Sequence, residues 1–378
     1  MPAVQNVLIV GAGVAGTATA ILLAEKGVNV VLVEQKPAVG ALGSGITLQG
    51  NALRVLRELG VWETVEPEGY GFGVTGLRAP DPAGTVVAEI PDAQTGGPDL
   101  PATFGMPRPE LARILVDRAI AAGATVQLGT ELTGLTQDDS GVDAAFADGS
   151  TGRFDLVVGA DGLHSRVRGL IGIDVEPRPT GMAIWRVFTP RPASVTRTDL
   201  YYGGRSYIAG YCPTGENSLY AYIVDEADPA NFELDGPARA AALRRLSEAY
   251  HGPWDDIRPL ITDDMPVNYT YFESHFVDGG WNRGRVVLIG DAAHSCPPTL
   301  AQGAAQSLED AAVLAELLLA ADTVDDELWA AFTARRAERA KRVVAASVQM
   351  VDWLLAHERN ADVPGLMAGI SALVGERA

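Results

Sequence analysis

"NVLIVGAGVAGTATAILLAEKGVNVVLVE", residues 6–34, decides the fold. Asn6 to Val10 is a short run, apolar from Val7 onward, the pattern of a parallel strand buried on both faces. Gly11, Gly13 and Gly16 follow, then a run that reads as a helix closed by Gly27, then a second apolar strand, Val28 to Glu34. Together these make a compact β-α-β unit. In such a unit the first glycine permits the tight turn, the second lets the backbone approach a pyrophosphate, and the third packs helix on strand. The helix N-terminus then stabilises the phosphates. Glu34 suits ribose hydroxyls and would repel a 2′-phosphate, so the expected nucleotide is ADP-like. Ala15 inside the turn and Gln35 beside the acid complete this candidate set. The signature implies a dinucleotide without saying which one.

The bulk of the chain narrows the setting. Its 378 residues suffice for two or three domains and a sizeable core. A formal net charge of −19 disfavours phosphate backbones and anionic lipid, so neither nucleic acid nor a membrane surface is an expected partner. Cys212 and Cys296 are too few for a disulfide framework, and the five histidines are scattered, so no metal site is expected. The apolar N-terminus lacks the charged segment of a signal peptide, and "AAVLAELLLAA" is too short to span a bilayer. A cytoplasmic location is the simplest expectation.

Beyond residue 34 the helical periodicity of "NALRVLRELGV" and "PELARILVDRAIAAGA" predicts two amphipathic helices, the second leading into the strand "TVQLGT". From "GMAIWRVF" to "LYAYIV" the sequence alternates and is rich in aromatic residues, which predicts an antiparallel sheet with one ligand-facing side. Two further motifs stand after apolar strands. "GADGLHSRVR" places Asp161 in a glycine turn with Arg166 and Arg168 beside it, cations suited to a phosphate-bearing ligand. "GDAAHSCPPTLAQGAAQSLEDA", residues 290–311, sets Asp291 at the carboxyl end of a strand, where open α/β sheets bind ligands. Its Pro297 and Pro298 stiffen the backbone and remove donors, and a helix begins near Gln302 with free N–H groups pointing back toward the loop.

In this order and at these separations, the three motifs resemble the class A flavin-dependent monooxygenases of the para-hydroxybenzoate hydroxylase type, over roughly residues 5 to 345. "GALGSGITLQGNALRVLRELG" and "MPRPELARILVDRA" share the family style. The resemblance implies an α/β fold: a Rossmann-like FAD-binding domain with a parallel sheet, a mixed or antiparallel-sheet substrate domain, and C-terminal helices. The corresponding division is 1–176 for the first part of the FAD-binding domain with substrate-domain insertions near 70–105, 177–264 for the substrate sheet, 265–342 for the second FAD-binding part, and 343–378 for the C-terminal helices.

The resemblance further implies FAD with its ADP at Gly11, Gly13, Gly16 and Glu34, and Arg108 and Asp161 near the phosphates. Asp291 would lie on the ribityl chain, and Pro298 with the backbone of Gln302, Gly303 and Ala304 beside the isoalloxazine ring. NADH or NADPH would reduce the flavin, oxygen would add to give a C4a-hydroperoxide, and one oxygen would pass to an electron-rich ring. The cofactor carries such chemistry. The expected substrate is a small phenolic or N-heteroaromatic compound, and the expected state a monomer or homodimer.

Candidates for the substrate wall are Arg205, Tyr207, Tyr211 and Tyr222 in the tyrosine-rich segment, Arg186 in "IWRVF", and Thr47 and Gln49 after the "GSGI" glycines. Trp185 could stack on a ring or be core. Leu300 and Ala301 stand where many relatives carry a further glycine, Cys296 reads as a packing residue, and His294 as a hydrogen-bonding support. A same-fold oxidoreductase or halogenase, or a non-catalytic flavoprotein sensor, remains an alternative, although "IWRVF" does not match a halogenase W-x-W-x-I-P run.

Overall fold

The computed structural model describes residues 2–39 and 45–378. The glycines of "GALGS" at 40–44 therefore lie outside the described residues. Asn6–Val10 and Asn29–Glu34 pair in parallel, and they occupy the middle of a six-stranded sheet. Leu156–Gly159 and then Val286–Leu288 extend this sheet on one side, Thr125–Leu128 on the other, all parallel. The apolar side chains of the inner strands are nearly all buried on both faces, which is why those strands read as continuous hydrophobic runs, while the edge strand Thr125–Leu128 is partly exposed. The helices Val14–Ala24, Arg108–Ala121 and Gly303–Ala320 supply cover from one large shared core.

A second sheet has eight strands. From one edge its order is His294–Ser295, Asn268–Phe276, Arg178–Pro190, Ser218–Glu226, Ile208–Pro213, Asp199–Tyr202, Val74–Arg78 and Val86–Pro91. All neighbours are antiparallel except Asp199–Tyr202 with Val74–Arg78, so the sheet is mixed. Its back packs on helices Gly236–Ser247 and Pro253–Ile257. A three-stranded sheet, ordered Gly45–Gln49, Thr103–Pro107, Tyr70–Phe72, lies over the front. Gly45 and Gly105 make that overlay possible: a Cβ on Gly45 would meet the Tyr220 Cβ at 2.6 Å, and one on Gly105 the Pro213 carbonyl oxygen at 2.1 Å.

Of the expected divisions, the one after residue 264 falls in the turn before a strand, and the one after residue 342 falls inside a helix. Asn268–Phe276 pairs along its length with Arg178–Pro190, so the large sheet runs past residue 264. Asp326–Leu355 is one helix of 30 residues, capped by Asp325, and it carries straight through position 343. Among the described residues no helix is long and apolar enough to cross a membrane.

Candidate active site

The three glycine-bearing motifs converge. Gly11 has φ +104°, and a Cβ there would lie 2.4 Å from the carbonyl oxygen of Ala160 in the second motif. Gly290 has φ +58°, and a Cβ there would come within 3.0 Å of the Ala15 methyl and 2.8 Å of Ser307 Oγ. Ala15 is buried by this packing. Arg168 closes the triangle between second and third motifs. Its buried guanidinium donates to the Ala292 carbonyl at 3.0 Å and the Leu163 carbonyl at 3.0 Å, and lies 3.2 Å from His275 Nε2. Arg166 pairs with Glu131 on the surface. The two cations expected to face a phosphate are thus committed to the protein itself, because unpaired buried carbonyls claim one and a nearby carboxylate the other.

Gly13 behaves differently from Gly11 and Gly16. Nothing lies within 4 Å of its Cβ position, whereas a Cβ on Gly16 would be 2.0 Å from the Gly11 carbonyl oxygen. Gly13 is the N-cap of Val14–Ala24, and no side chain caps that helix, so its first N–H groups keep no side-chain partner. Glu34 turns its carboxylate to the same spot, where Oε2 accepts from Ala12 N at 3.1 Å and Oε1 from Lys36 N at 3.0 Å. Gln35 is exposed beside it. Asp161 accepts from Ser165 Oγ at 2.5 Å, Arg166 N at 2.8 Å and Val167 N at 3.0 Å, which starts the short helix Arg166–Leu170. Burial raises the pKa of its carboxyl, and these donors oppose the rise.

In the third motif Asp291 is reachable by solvent although protein surrounds it closely. Desolvation holds its pKa above the ordinary carboxylate value, and the His294 and Arg108 charges pull it back. Arg108 begins the helix Arg108–Ala121, is exposed, and has no hydrogen-bond or ion-pair partner among the described residues. Its charge also acts on the Tyr220 phenol of the large sheet. Pro298 is exposed and opens a 3-10 turn that ends at Ala301, whose φ of 51° is left-handed. Gly303 and Ala304 start the Gly303–Ala320 helix, which no side chain caps, and nothing lies within 4 Å of a Cβ on Gly303.

Gln302 is buried, and its side-chain amide is fully engaged with Gln49, Asn51 and Gln306. Gln49 also donates to the Leu300 carbonyl at 3.0 Å, so it braces the proline loop from the small sheet. Thr47, two residues earlier on the same strand, lies near the Cys212 thiol, which donates to the Pro213 carbonyl at 3.4 Å and whose pKa burial pushes up to about 11. Cys296 packs beside Leu300 and Met350, its thiol pushed up to about 12 by burial. His294 Nε2 lies 2.7 Å from the Asp310 carboxylate.

The large sheet sorts the aromatic candidates by face. Arg186, Phe188, Tyr220, Tyr222, Cys212 and Thr270 share the front, by strand parity and register. Arg186 Nε donates to Tyr220 Oη at 3.1 Å, its Nη1 bonds Thr270 Oγ1, and Tyr220 and Tyr222 rings lie 5.1 Å apart. Burial pushes the Tyr222 phenol well above its usual value. Tyr211 and Trp185 lie on the opposite face, in the core under the helices. The Tyr211 hydroxyl donates to Asp199 Oδ2 at 2.7 Å, on the face away from Arg186. Arg205 is exposed in the 203–206 turn, near Asp225, Arg245 and Trp185 on that back side, and is not brought together with Arg186. Tyr207 stacks on His357 at 5.7 Å, against the end of the long helix rather than beside Arg186.

Sequence reasoning missed Tyr220, Asn51 and a buried ionic cluster of Glu309, Asp310, Arg336 and Arg339. The cluster had a signal: two adjacent acids inside an otherwise apolar helix require buried cations. Among the described residues no group of three His, Cys, Asp or Glu side chains could hold a metal.

The chain matches the FAD binding domain family over residues 5–347. It is 30% identical to the putative FAD-dependent monooxygenase YetM of Bacillus subtilis, covering 95% of this chain and 96% of that one. It is 29% identical to the 6-hydroxynicotinate 3-monooxygenase of Bordetella bronchiseptica, covering 93% of each. The structure superposes on the tetrameric 2-methyl-3-hydroxypyridine-5-carboxylic acid oxygenase with a TM-score of 0.82 at 26% identity, over 97% of this chain and 96% of that one. With three converging motifs, a parallel sheet joined to a mixed one, and relatives along nearly its whole length, this chain belongs to the FAD binding domain family, among the class A flavin-dependent aromatic monooxygenases.

Proposed function

We propose that the protein is an NAD(P)H-consuming, FAD-dependent monooxygenase that hydroxylates a small phenolic or N-heteroaromatic ring. Relatives named for hydroxynicotinate and hydroxypyridine-carboxylate oxygenation support this substrate class. The observation that carries the reading is Arg108. With no hydrogen-bond or ion-pair partner among the described residues, its charge acts on both Asp291 and Tyr220, which places it between the third motif and the front of the large sheet. The residues there fit FAD: the open side of Gly13 at an uncapped helix N-terminus suits a pyrophosphate, and Glu34 stands beside it for the ribose. The open side of Gly303, at a second uncapped helix, suits a flat ring.

Bound FAD supplies the redox chemistry, accepting electrons from the nicotinamide and using them to activate dioxygen. The chain contributes the rest. The Gly303 and Ala304 N–H groups, at the positive end of an 18-residue helix, stabilise negative charge beside the proline loop. Pro298 forms one wall without adding a competing donor. Arg186 orients an anionic or oxygen-bearing ring substituent, held in place by Tyr220 and Thr270. Tyr222 stays protonated, so it acts as a donor and a screen against water rather than as a base. We assign Gly11, Gly13, Ala15, Gly16, Glu34, Gln35, Arg108, Asp161, Asp291, Gln302, Gly303 and Ala304 to cofactor binding, with Ala15, Asp161 and Gln302 acting through packing or backbone. Thr47 and Gln49 belong to the wall that braces the loop. The cofactor region resumes after Phe276, and we place the protein in the cytoplasm as a monomer or homodimer.

The test is a screen of hydroxylated benzoates and pyridines for stimulated NAD(P)H oxidation, with mass spectrometry for one added oxygen. A protein that stays colourless after reconstitution with FAD, or that oxidises NAD(P)H without labelling any ring, would overturn the reading.

A further inference from the structure

Both walls of the proposed flavin site hang from one guanidinium. Arg336 lies on the long helix, outside all three motifs, and is 0% exposed. Its Nε donates to Asp310 Oδ1 at 2.7 Å, Nη1 to Glu309 Oε2 at 2.9 Å, and Nη2 to the Gln306 carbonyl at 3.2 Å and Gln306 Oε1 at 2.8 Å. Each partner leads somewhere specific. Asp310 Oδ2 accepts Gly290 N at 2.8 Å and faces His294 Nε2 at 2.7 Å, so it fixes the turn that carries Asp291. Gln306 Nε2 donates to Gln302 Oε1 at 3.2 Å, and Glu309 Oε1 accepts Asn51 Nδ2 at 3.1 Å. Asn51 in turn bonds both ends of the Gln302 amide, and Gln302 is the N-cap of the Gly303–Ala320 helix.

We propose that Arg336 is a positioning residue that sets the spacing between the Asp291 turn and the Gly303–Ala304 helix N-terminus, and thereby tunes how FAD is held and reduced. This rests on the placement of the flavin ring at the proline loop. Two adjacent buried carboxylates repel each other unless a shared cation lies between them, so the planar fork of arginine fixes their geometry as lysine cannot. The side chain touches no ligand and acts through Asp310, Glu309 and Gln306.

Arg339 is the internal control. It shares Glu309, at 2.8 Å from both Nε and Nη2, but its other bonds go to the Leu373 and Glu376 carbonyls at the chain's end. It reaches neither Asp310 nor Gln306. The experiment uses the holoprotein: FAD Kd by fluorescence, the visible absorption of bound flavin, and its midpoint potential. Arg336→Lys and the charge-neutral Gln306→Met each weaken FAD binding about tenfold and shift the bound-flavin spectrum and potential, while Arg339→Lys stays within twofold with the parent spectrum. Gln306→Met decides the matter should Arg336→Lys not fold. Parent-like Kd, spectrum and potential in Gln306→Met, or an equal shift in Arg339→Lys, overturns the proposal. Gly303→Val separates the two layers: if it alters the spectrum and the remote variants do not, only the role of Arg336 fails; if it too leaves the spectrum unchanged, the placement of the ring fails.

Discussion

Gly13, open on its Cβ side, and Gly16, closed on it, make opposite predictions, and the pair can be tested in one thermal experiment. A Cβ on Gly13 meets nothing within 4 Å, and its extended φ of −75° suits any residue. Gly13→Val therefore costs the apoprotein no more than about 1 kcal/mol, the difference between glycine and an apolar residue at an N-cap. A Cβ on Gly16 lies 2.0 Å from a backbone oxygen, which only a shift of helix against strand relieves, at about 3 kcal/mol. Unfolding entropy for 378 residues is about 0.8 kcal/mol per kelvin. Gly13→Val then lowers the apo Tm by about 1 °C and Gly16→Ala by about 4 °C. With free FAD at a hundredfold Kd, the parent gains about 2.7 kcal/mol, or about 3 °C. Gly13→Val loses that gain, because its side chain fills the space at the helix N-terminus. Differential scanning fluorimetry of the apoprotein with and without FAD reads all of this. A Gly13→Val protein that keeps the FAD-dependent rise, or whose apo Tm falls as far as that of Gly16→Ala, refutes the assignment.

Other perturbations follow from the same geometry. His275, between Arg168 and Ser295, has its pKa lowered to about 4 by burial and by the Arg168 charge. A lowered histidine favours the neutral fold, so stability is intact above pH 6.5 and declines as pH falls toward 4, by up to about 3 kcal/mol; urea titrations of His275→Asn should show a flatter slope in that window. Arg186→Met removes a charged donor from the front of the sheet and raises the substrate KM about tenfold or more with FAD still bound, whereas Arg205→Ala leaves KM within twofold; steady-state kinetics on the two variants that ranked them oppositely would reverse the choice of face. Ala301→Gly relieves a left-handed alanine and raises the Tm by about 1 °C, measured by calorimetry.

The cofactor half was legible because each of its signals is local. Gly11 needs a positive φ, Gly16 a close approach and Glu34 a strand end, and all three demands are met within one β-α-β unit. The substrate half was not, and the reason is burial on both faces. The strand Ile208–Pro213 is buried at every position, so its alternation marks no ligand side, and Tyr211 could not be told from a front-facing residue. Only register settles the parity: Cys212 faces Tyr220 and Tyr222 faces Arg186, which leaves Tyr211 behind. Arg205 was undecidable for a different reason: "GGR" is what a hairpin turn needs whether or not its arginine faces a ligand, and turns lie at the rim.

The buried ionic cluster carries a different lesson, because its energetics argue against a role in stability alone. Burying Glu309, Asp310 and Arg336 costs several kcal/mol in desolvation for each ion, and replacing such a set by apolar side chains of equal volume is often neutral or stabilising. A helix packed only to hold its sheet would do better with leucine at those positions, as its neighbours Leu308 and Leu314 do. What leucine cannot do is hold Gly290 N, His294, Asn51 and Gln302 at fixed separations through directional bonds. Apolar packing tolerates a helix sliding by a fraction of an ångström; a branched set of hydrogen bonds spanning 2.7 to 3.2 Å does not. The charges stand directly behind the two loops whose backbone atoms face the proposed flavin, the place where such a slide would alter the chemistry.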